Sequence, residues 1–484
     1  MNQNIMTLEP ALVWDYFLKI CQIPRPSGKT LAIQDWLLAF AAEKGLESKR
    51  DAIGNVLITK SATKGCEQKP TIVLQSHMDM VCEKNAGVSH NFETDPIDTY
   101  IDGEWMKAKG TTLGADNGIG IAAQLAVLAS EDLQHGPVEC LFTVDEETGL
   151  YGAFDLKPGF FTGKKLINLD SEDEGQIFIG CAGGMNSKFS FTYKTEPAPS
   201  NFFYVKISIK GLAGGHSGDD IEKGRGNANH LLARFLWHEN AETDLRLAEY
   251  TGGNLSNAIP REASCIAGVP WDQKELIRVR LNCYQADLEE EFGPLEPGLQ
   301  LEIESTTAPL EVLSKDDSTR FISVMYACLN GVMAMSHALP GLVETSLNLA
   351  SVKQGGNKEW IITTSQRSSV ETAKNALSHR LEALFSLAGI SATHGEGYPG
   401  WNPNPDSPLL KDVINAYKEL FGTEPEVKAI HAGLECGLFL QKYPGLDMVS
   451  FGPTMRGVHS PDERLHIPAV WNFWKLLVET LKRV

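Results

Sequence analysis

Positive charge is in short supply in this 484-residue chain: 43 Lys and Arg stand against 62 Asp and Glu, a net charge of −19. Binding to nucleic acid depends on clustered cations that replace counterions along phosphates, so this balance disfavours such a partner. Long apolar runs are missing as well. The longest smooth one, residues 119–129, falls well short of the roughly 20 residues a membrane helix needs. The opening MNQNIMTLEPALVWDYF has no basic stretch leading into an apolar one, so no secretory signal is expected. The nine cysteines are scattered, odd in number and without a CxxC pair. That argues against a disulfide framework and against a thiolate-held structural zinc, and it fits a reducing cytoplasm. HExxH and GxSxG are both absent, and GGHSGD lacks the last glycine of a serine-hydrolase elbow. Gly118–Ala123 mimics a dinucleotide fingerprint but follows a polar loop rather than a strand. Asp170–Gly175 mimics the start of a calcium loop, yet its twelfth position is Cys181. The sequon Asn254-Leu255-Ser256 would be silent in a cytosolic protein.

What is present is an ordinary globular composition, 42% hydrophobic and 22% charged, in a chain long enough for about two domains. Helical apolar spacing runs over 8–21 and 28–44. The β-branched run TIVLQ (71–75), VECLFTV (138–144) and KLINL (165–169) read as buried strands, with a helix at 117–130 between the first two. Strands separated by helices predict an α/β fold, a mixed sheet flanked by helices. The character changes near 187. Strands are expected at 189–193, 203–210, 276–282 and 299–305, and helices at 228–238, 317–333 and 370–388. They form two loosely similar halves, up to a Gly/Pro-rich linker at 395–403. A helix at 408–421, a strand at 448–451 and a helix from 469 return to α/β. The expected organisation is a discontinuous domain, 1–186 with 398–484, and an inserted α+β domain, 187–397, suited to a lid or a dimerisation arm.

Chemistry-bearing residues collect at the ends of the expected strands. Ser76-His77-Met78-Asp79 follows the first, Asp145-Glu146-Glu147-Thr148-Gly149 the second and Leu169-Asp170-Ser171-Glu172 the third. Gly114-Ala115-Asp116-Asn117-Gly118 opens the helix, and Val458-His459-Ser460-Pro461-Asp462-Glu463 lies in a later glycine-bearing loop. Ligands in open α/β sheets gather beyond the carboxyl ends of strands. Any one of these strings is compatible with a solvated turn or a helix cap. Together they offer imidazole and carboxylate without thiolate, a donor set that suits Zn²⁺, Mn²⁺ or Co²⁺. Two divalent cations about 3.5–4 Å apart require a bridging carboxylate, and an adjacent carboxylate can serve as base toward water. Glu146 and Glu147 could supply both roles.

The series His77-Met78-Asp79, Gly114-Ala115-Asp116-Asn117-Gly118, Asp145-Glu146-Glu147-Thr148-Gly149, Asp170 and His459 resembles the motif series of the di-zinc carboxypeptidase-G and aminoacylase-like peptidases. TLGADNGIG, NLDSEDEG and GGHSGDDI look most like the aminoacyl-histidine dipeptidase branch, and the likeness runs through essentially the whole chain. This resemblance implies a zinc-peptidase-like catalytic domain with an inserted lid, two Zn²⁺ per chain (Co²⁺ or Mn²⁺ as substitutes) and hydrolysis of unblocked dipeptides, Xaa-His such as carnosine among them. It implies Asp116 as the bridging ligand, His77 and Asp170 on one metal, and Glu147 and His459 on the other. Asp79 would hold the His77 ring and Glu146 would be the general base. His216 would face the developing oxyanion, Asn257 and Arg367 the substrate's carboxylate end, and Glu435 a free amine. Asp rather than Glu at 170 favours the dipeptidase side of the family. A deacylase of N-acyl amino acids and a non-catalytic metal-dependent binding protein are the competing expectations. A homodimer through the lid and a cytoplasmic location complete the reading.

Overall fold

The computed structural model describes residues 7–484, which form two compact units. The first comprises the chain up to Cys181, Trp401–Ala429 and Leu434–Val484. The second comprises Ala182–Gly400 with the short return Ile430–Gly433. That third crossing, at 430–433, has no signature in the sequence.

The first unit is built on an eight-stranded mixed sheet. Its strand order is Glu47–Arg50, Val56–Lys60, Val138–Thr143, Ile72–His77, Lys165–Asn168, Asp447–Ser450, Gln176–Cys181 and Glu426–Ile430. The four strands from Val138–Thr143 to Asp447–Ser450 run parallel. Ile72–His77 and Val138–Thr143 are buried along their whole length, as continuous apolar runs in a parallel sheet should be. After Ile72–His77 the chain crosses through helix Ala115–Ala129 to the strand on one side, then returns through Tyr151–Asp155 to the strand on the other. Ile72–His77 is therefore the topological switch point, where an open sheet forms a crevice at its strand ends. Helix Ala115–Ala129 packs on this strand and is buried on nearly every side, which explains its small and apolar composition. A separate four-stranded sheet joins Met455–Arg456, Arg464–His466, Trp105–Ala108 and Thr99–Asp102, so the loop 457–463 is the turn of a hairpin held within it. Among the described residues no helix is long and apolar enough to cross a membrane.

The second unit is built on a nine-stranded sheet, with a separate two-stranded one of Thr195–Pro197 and Glu311–Leu313. Gln300–Ser305, Phe202–Lys210, Ala263–Pro270 and Arg246–Gly252 form one four-stranded set. Val343–Gln354, Glu359–Ser368, Gly183–Thr192 and Ser391–His394 form the other, and Gly331–Met335 pairs with Val343–Gln354. The sets meet edge to edge through Gly252 and Val352. The helices Ala228–Glu242, Lys274–Phe292, Lys315–Ala327 and Glu371–Leu387 give Leu232, Leu281, Phe321 and Phe385 to a core shared with both sets.

Two expected elements differ. Residues 276–282 are not a strand but part of helix Lys274–Phe292. Leu276, Ile277, Val279 and Leu281 alternate closely enough to suggest a strand in a short window. The buried set Ile277, Leu281, Tyr284 and Leu288 has helical spacing and dominates the longer one. The helix expected at 317–333 ends at Ala327, because Cys328 turns extended and Gly331–Met335 pairs as a strand.

Candidate active site

The parallel strands of the first unit end together, and the residues just beyond them converge. His77 closes its strand, and Nε2 lies 3.0 Å from Asp116 Oδ1 and 3.3 Å from Asp170 Oδ1. Its Nδ1 donates to the Asp79 carbonyl at 3.1 Å and lies 3.4 Å from Asp79 Oδ1. In the neutral ring this leaves the Nε2 lone pair facing the carboxylates. The second oxygen of Asp116 is 3.2 Å from His459 Nε2, which is 3.0 Å from Glu147 Oε2. Three groups of potential ligand atoms, each within 4.8 Å of one another, overlap here: His77, Asp116 and Asp170; Asp116, Glu147 and His459; and His77, Glu146 and Glu147. Asp116 belongs to the first two, one oxygen toward each imidazole.

The surrounding shell fixes these groups. Asp79 accepts the backbone N–H of Glu146 at 3.0 Å and of Glu147 at 3.3 Å, along with the Ser27 hydroxyl at 2.7 Å. The Asn117 amide donates to Asp170. Asp145, in the left-handed region at φ 51°, accepts the Gly28 N–H at 2.6 Å, and His459 is also left-handed at φ 61°. Non-glycine residues seldom occupy that region, and such strain gathers at functional loops. Arg25 is buried and donates to the carbonyls of Met78, Asp79 and Gly114. Gly114 must be glycine on two counts: φ is 70°, and a Cβ there would stand 2.6 Å from the Arg25 guanidinium.

The electrostatics test whether cations fit. Carboxylates outnumber imidazoles in a buried space. Burial, and then mutual repulsion, pushes Asp170 up to about 6, Glu172 up to about 8, and Glu146 well above the usual carboxylate range. Burial alone would lower His77, but the Asp170, Asp116 and Asp79 carboxylates outweigh it and raise it well above the imidazole range. Hydrogen bonds to Asp116 and Glu147 raise His459 to about 11. Acids this crowded cannot all ionise unless positive charge is brought in. Glu147 Oε1 is buried and, among the described residues, has no hydrogen-bond partner. An oxygen and imidazole set without thiolate, an orphaned carboxylate oxygen and a charge deficit all fit divalent cations.

Glu435 lies deeper in the first unit, fully buried. Its Oε2 accepts from Gln75 Nε2 at 2.5 Å and Thr143 Oγ1 at 2.8 Å, and its Oε1 has no partner among the described residues. Burial pushes it up to about 8.

Within the second unit, His216, Asn257 and Arg367 come together. The Ser217 N–H donates to the Asn257 carbonyl at 2.8 Å, and the Ile259 N–H to Gly215. Arg367 is buried and donates to Tyr398 Oη at 3.1 Å, and its Nη2 lies 3.3 Å from His216 Nε2. His216 Nδ1 is 3.1 Å from Asp219 Oδ2, while the Asn257 side chain is exposed. His431, in the 430–433 return, bonds Ser346 Oγ at 2.7 Å. Burial and the nearby Arg367 charge lower it to about 4. Sequence reasoning missed Arg25, Glu172, Asp219, Tyr398, His431 and Glu463. Glu172, Asp219 and Glu463 had a cue, since each lies within a string already singled out for another residue.

A mixed α/β sheet whose parallel strands end in overlapping imidazole–carboxylate clusters defines the class, an enzyme of the metallopeptidases. Residues 73–483 match the sequence profile of peptidase family M20/M25/M40, and the chain belongs to that family. It is 45% identical over 481 residues to the cytosol non-specific dipeptidase of Escherichia coli (strain K12), covering 99% of each chain. The crystal structure of aminoacylhistidine dipeptidase from Vibrio alginolyticus superposes with a TM-score of 0.94 at 44% identity, covering 100% of this chain and 98% of that one. A tripeptidase from Staphylococcus aureus, at 17% identity and a TM-score of 0.56, shares the fold.

Proposed function

We propose that the chain is a cytoplasmic two-zinc dipeptidase that hydrolyses unblocked dipeptides, Xaa-His among them. The observation that carries this reading is Asp116, one oxygen toward His77 and the other toward His459, with Glu146 beside the pair. The names of the two near relatives support the substrate class. Asp116 would bridge the cations, His77 and Asp170 would complete one position, and Glu147 and His459 the other. Bound there, the cations would polarise the peptide carbonyl and make a water acidic near neutral pH.

Glu146 accepts the proton of the attacking water and passes it to the leaving amine nitrogen. Burial raises its proton affinity above that of an ordinary carboxylate, which suits a group that both takes and gives a proton. Asp79 holds the His77 ring and the backbone of the Glu146–Glu147 turn at once, so it positions ligand and base together. His216 is assigned to the oxygen that becomes negative, and Arg367 and Asn257 to the substrate's carboxylate, for which a guanidinium fork is suited. The second unit is assigned as lid and as the surface of a homodimer. A sedimenting species of monomer mass alone at micromolar concentration would remove the dimer.

The test is amine release from carnosine and from Xaa-His and Xaa-Gly dipeptides by metal-stripped enzyme, before and after adding Zn²⁺, Mn²⁺ or Co²⁺. Cleavage restored by metal, with N-acetylated dipeptides untouched, is the expected outcome. Cleavage of the N-acyl compounds instead would make the chain a deacylase. No cleavage of either with both cations bound would leave a binding protein.

Glu435 is assigned to the free amine, and its variant separates two effects. Glu435→Gln is expected to raise KM for free dipeptides with kcat little changed. In the metal-stripped protein it should also alter stability against pH. The folded carboxyl titrates near 8 against an ordinary 4.5, so folding takes up a proton between these values. Wild-type stability therefore falls as pH rises through that window, and the Gln variant should show a shallower slope in urea titrations, the remainder coming from Asp170, Glu172 and Glu146. An unchanged KM would withdraw the amine assignment.

A further inference from the structure

Glu463 stands directly before strand Arg464–His466, four residues after His459 in the same hairpin loop. It is buried, and its carboxylate accepts four successive backbone N–H groups. Leu113 and Gly114 donate to Oε2 at 2.7 and 2.9 Å, and Ala115 and Asp116 to Oε1 at 2.8 and 3.3 Å. These amides form the turn that carries Asp116 into its helix. Consecutive N–H groups at the start of a helix are a natural anion cradle, and here the anion comes from the chain itself. The carbonyl side of the turn is braced separately, by Arg25 on Gly114. One loop thus grips the Asp116 turn at two points, His459 at its side chain and Glu463 at its backbone.

We infer that Glu463 is a positioning residue for the metal centre: it aims Asp116 between His77 and His459 and so sets the affinity for both cations. The inference rests on the two-cation reading above. A carboxylate with both oxygens filled by backbone donors cannot itself be a ligand, so its effect must pass through the turn. Glu463→Gln replaces one acceptor oxygen by an NH₂ that opposes two of the four N–H groups, which should tilt the turn without emptying the site of ligands.

The experiment is calorimetric titration of metal-stripped protein with Zn²⁺, alongside thermal unfolding. Wild type should bind two equivalents. Glu463→Gln should weaken binding about 10–100-fold, the usual range for partners that orient metal ligands. Glu139→Gln is the control. That buried carboxylate accepts the Thr162 and Gly163 N–H groups and touches none of the ligands, so its loss should lower the melting temperature and leave Zn²⁺ affinity as in wild type. If Glu463→Gln does not fold, Glu463→Asp keeps the charge on a shorter arm and should also bind Zn²⁺ more weakly. Wild-type affinity in whichever variant folds overturns the inference. Failure of the wild type to bind two equivalents would overturn the two-cation reading instead.

Discussion

Glu146→Ala is expected to lower kcat for dipeptide hydrolysis by at least the about 10²–10⁴-fold that a positioned acid–base group contributes, with bound metal unchanged. Two observations make this the sharpest variant. Glu146 lies outside both clusters that share Asp116, so ligands for two cations remain without it. Its place is set by its backbone N–H on Asp79 rather than by its side chain, so truncation leaves the loop and the neighbouring Glu147 where they are. Elemental analysis after dialysis and steady-state kinetics on the same preparation would check it. Two metals retained with activity lost fits a proton carrier. If metal leaves with the side chain, Glu146 is a ligand. Substantial activity in the variant would give its role to another group.

Asp116→Ala should be the more damaging change to the centre itself. It removes the oxygens 3.0 Å from His77 and 3.2 Å from His459 together, so each cluster loses its shared member. Expected are loss of both cations on dialysis and activity near the uncatalysed level. Asp170→Ala should be milder, because Asp170 serves only the His77 side and one cation keeps its own ligands. Metal-to-protein ratios separate the cases: near zero for the first variant and near one for the second. A ratio of one in both would mean that Asp116 does not bridge.

The ligand strings were legible because their chemistry is local. His77, Asp145–Glu147 and Asp170 follow runs of Val, Ile, Leu and Phe that had to be buried strands, and parallel strands end on one side. A dense run of His, Asp and Glu just past such a strand therefore has one crevice to enter. The 276–282 segment failed for a related reason: over seven residues, an alternating pattern and one helical face look alike, and only the packed face from Ile277 to Leu288 separates them.

Composition and strand-end chemistry by themselves determined that this is a globular α/β chain with a carboxylate-rich, thiolate-free candidate centre. Both follow from which side chains can be buried and which ions imidazole and carboxylate can hold. The tertiary structure decided the rest. It brought the His459 loop to Asp116 and placed Glu463 on four backbone amides and Arg25 on three carbonyls. It gathered His216, Arg367, Tyr398 and His431 into one cluster. A lone Glu, Arg or Tyr has no periodicity to reveal it. Its role depends on which distant backbone groups lack partners once the chain has packed, and only the packed chain specifies those.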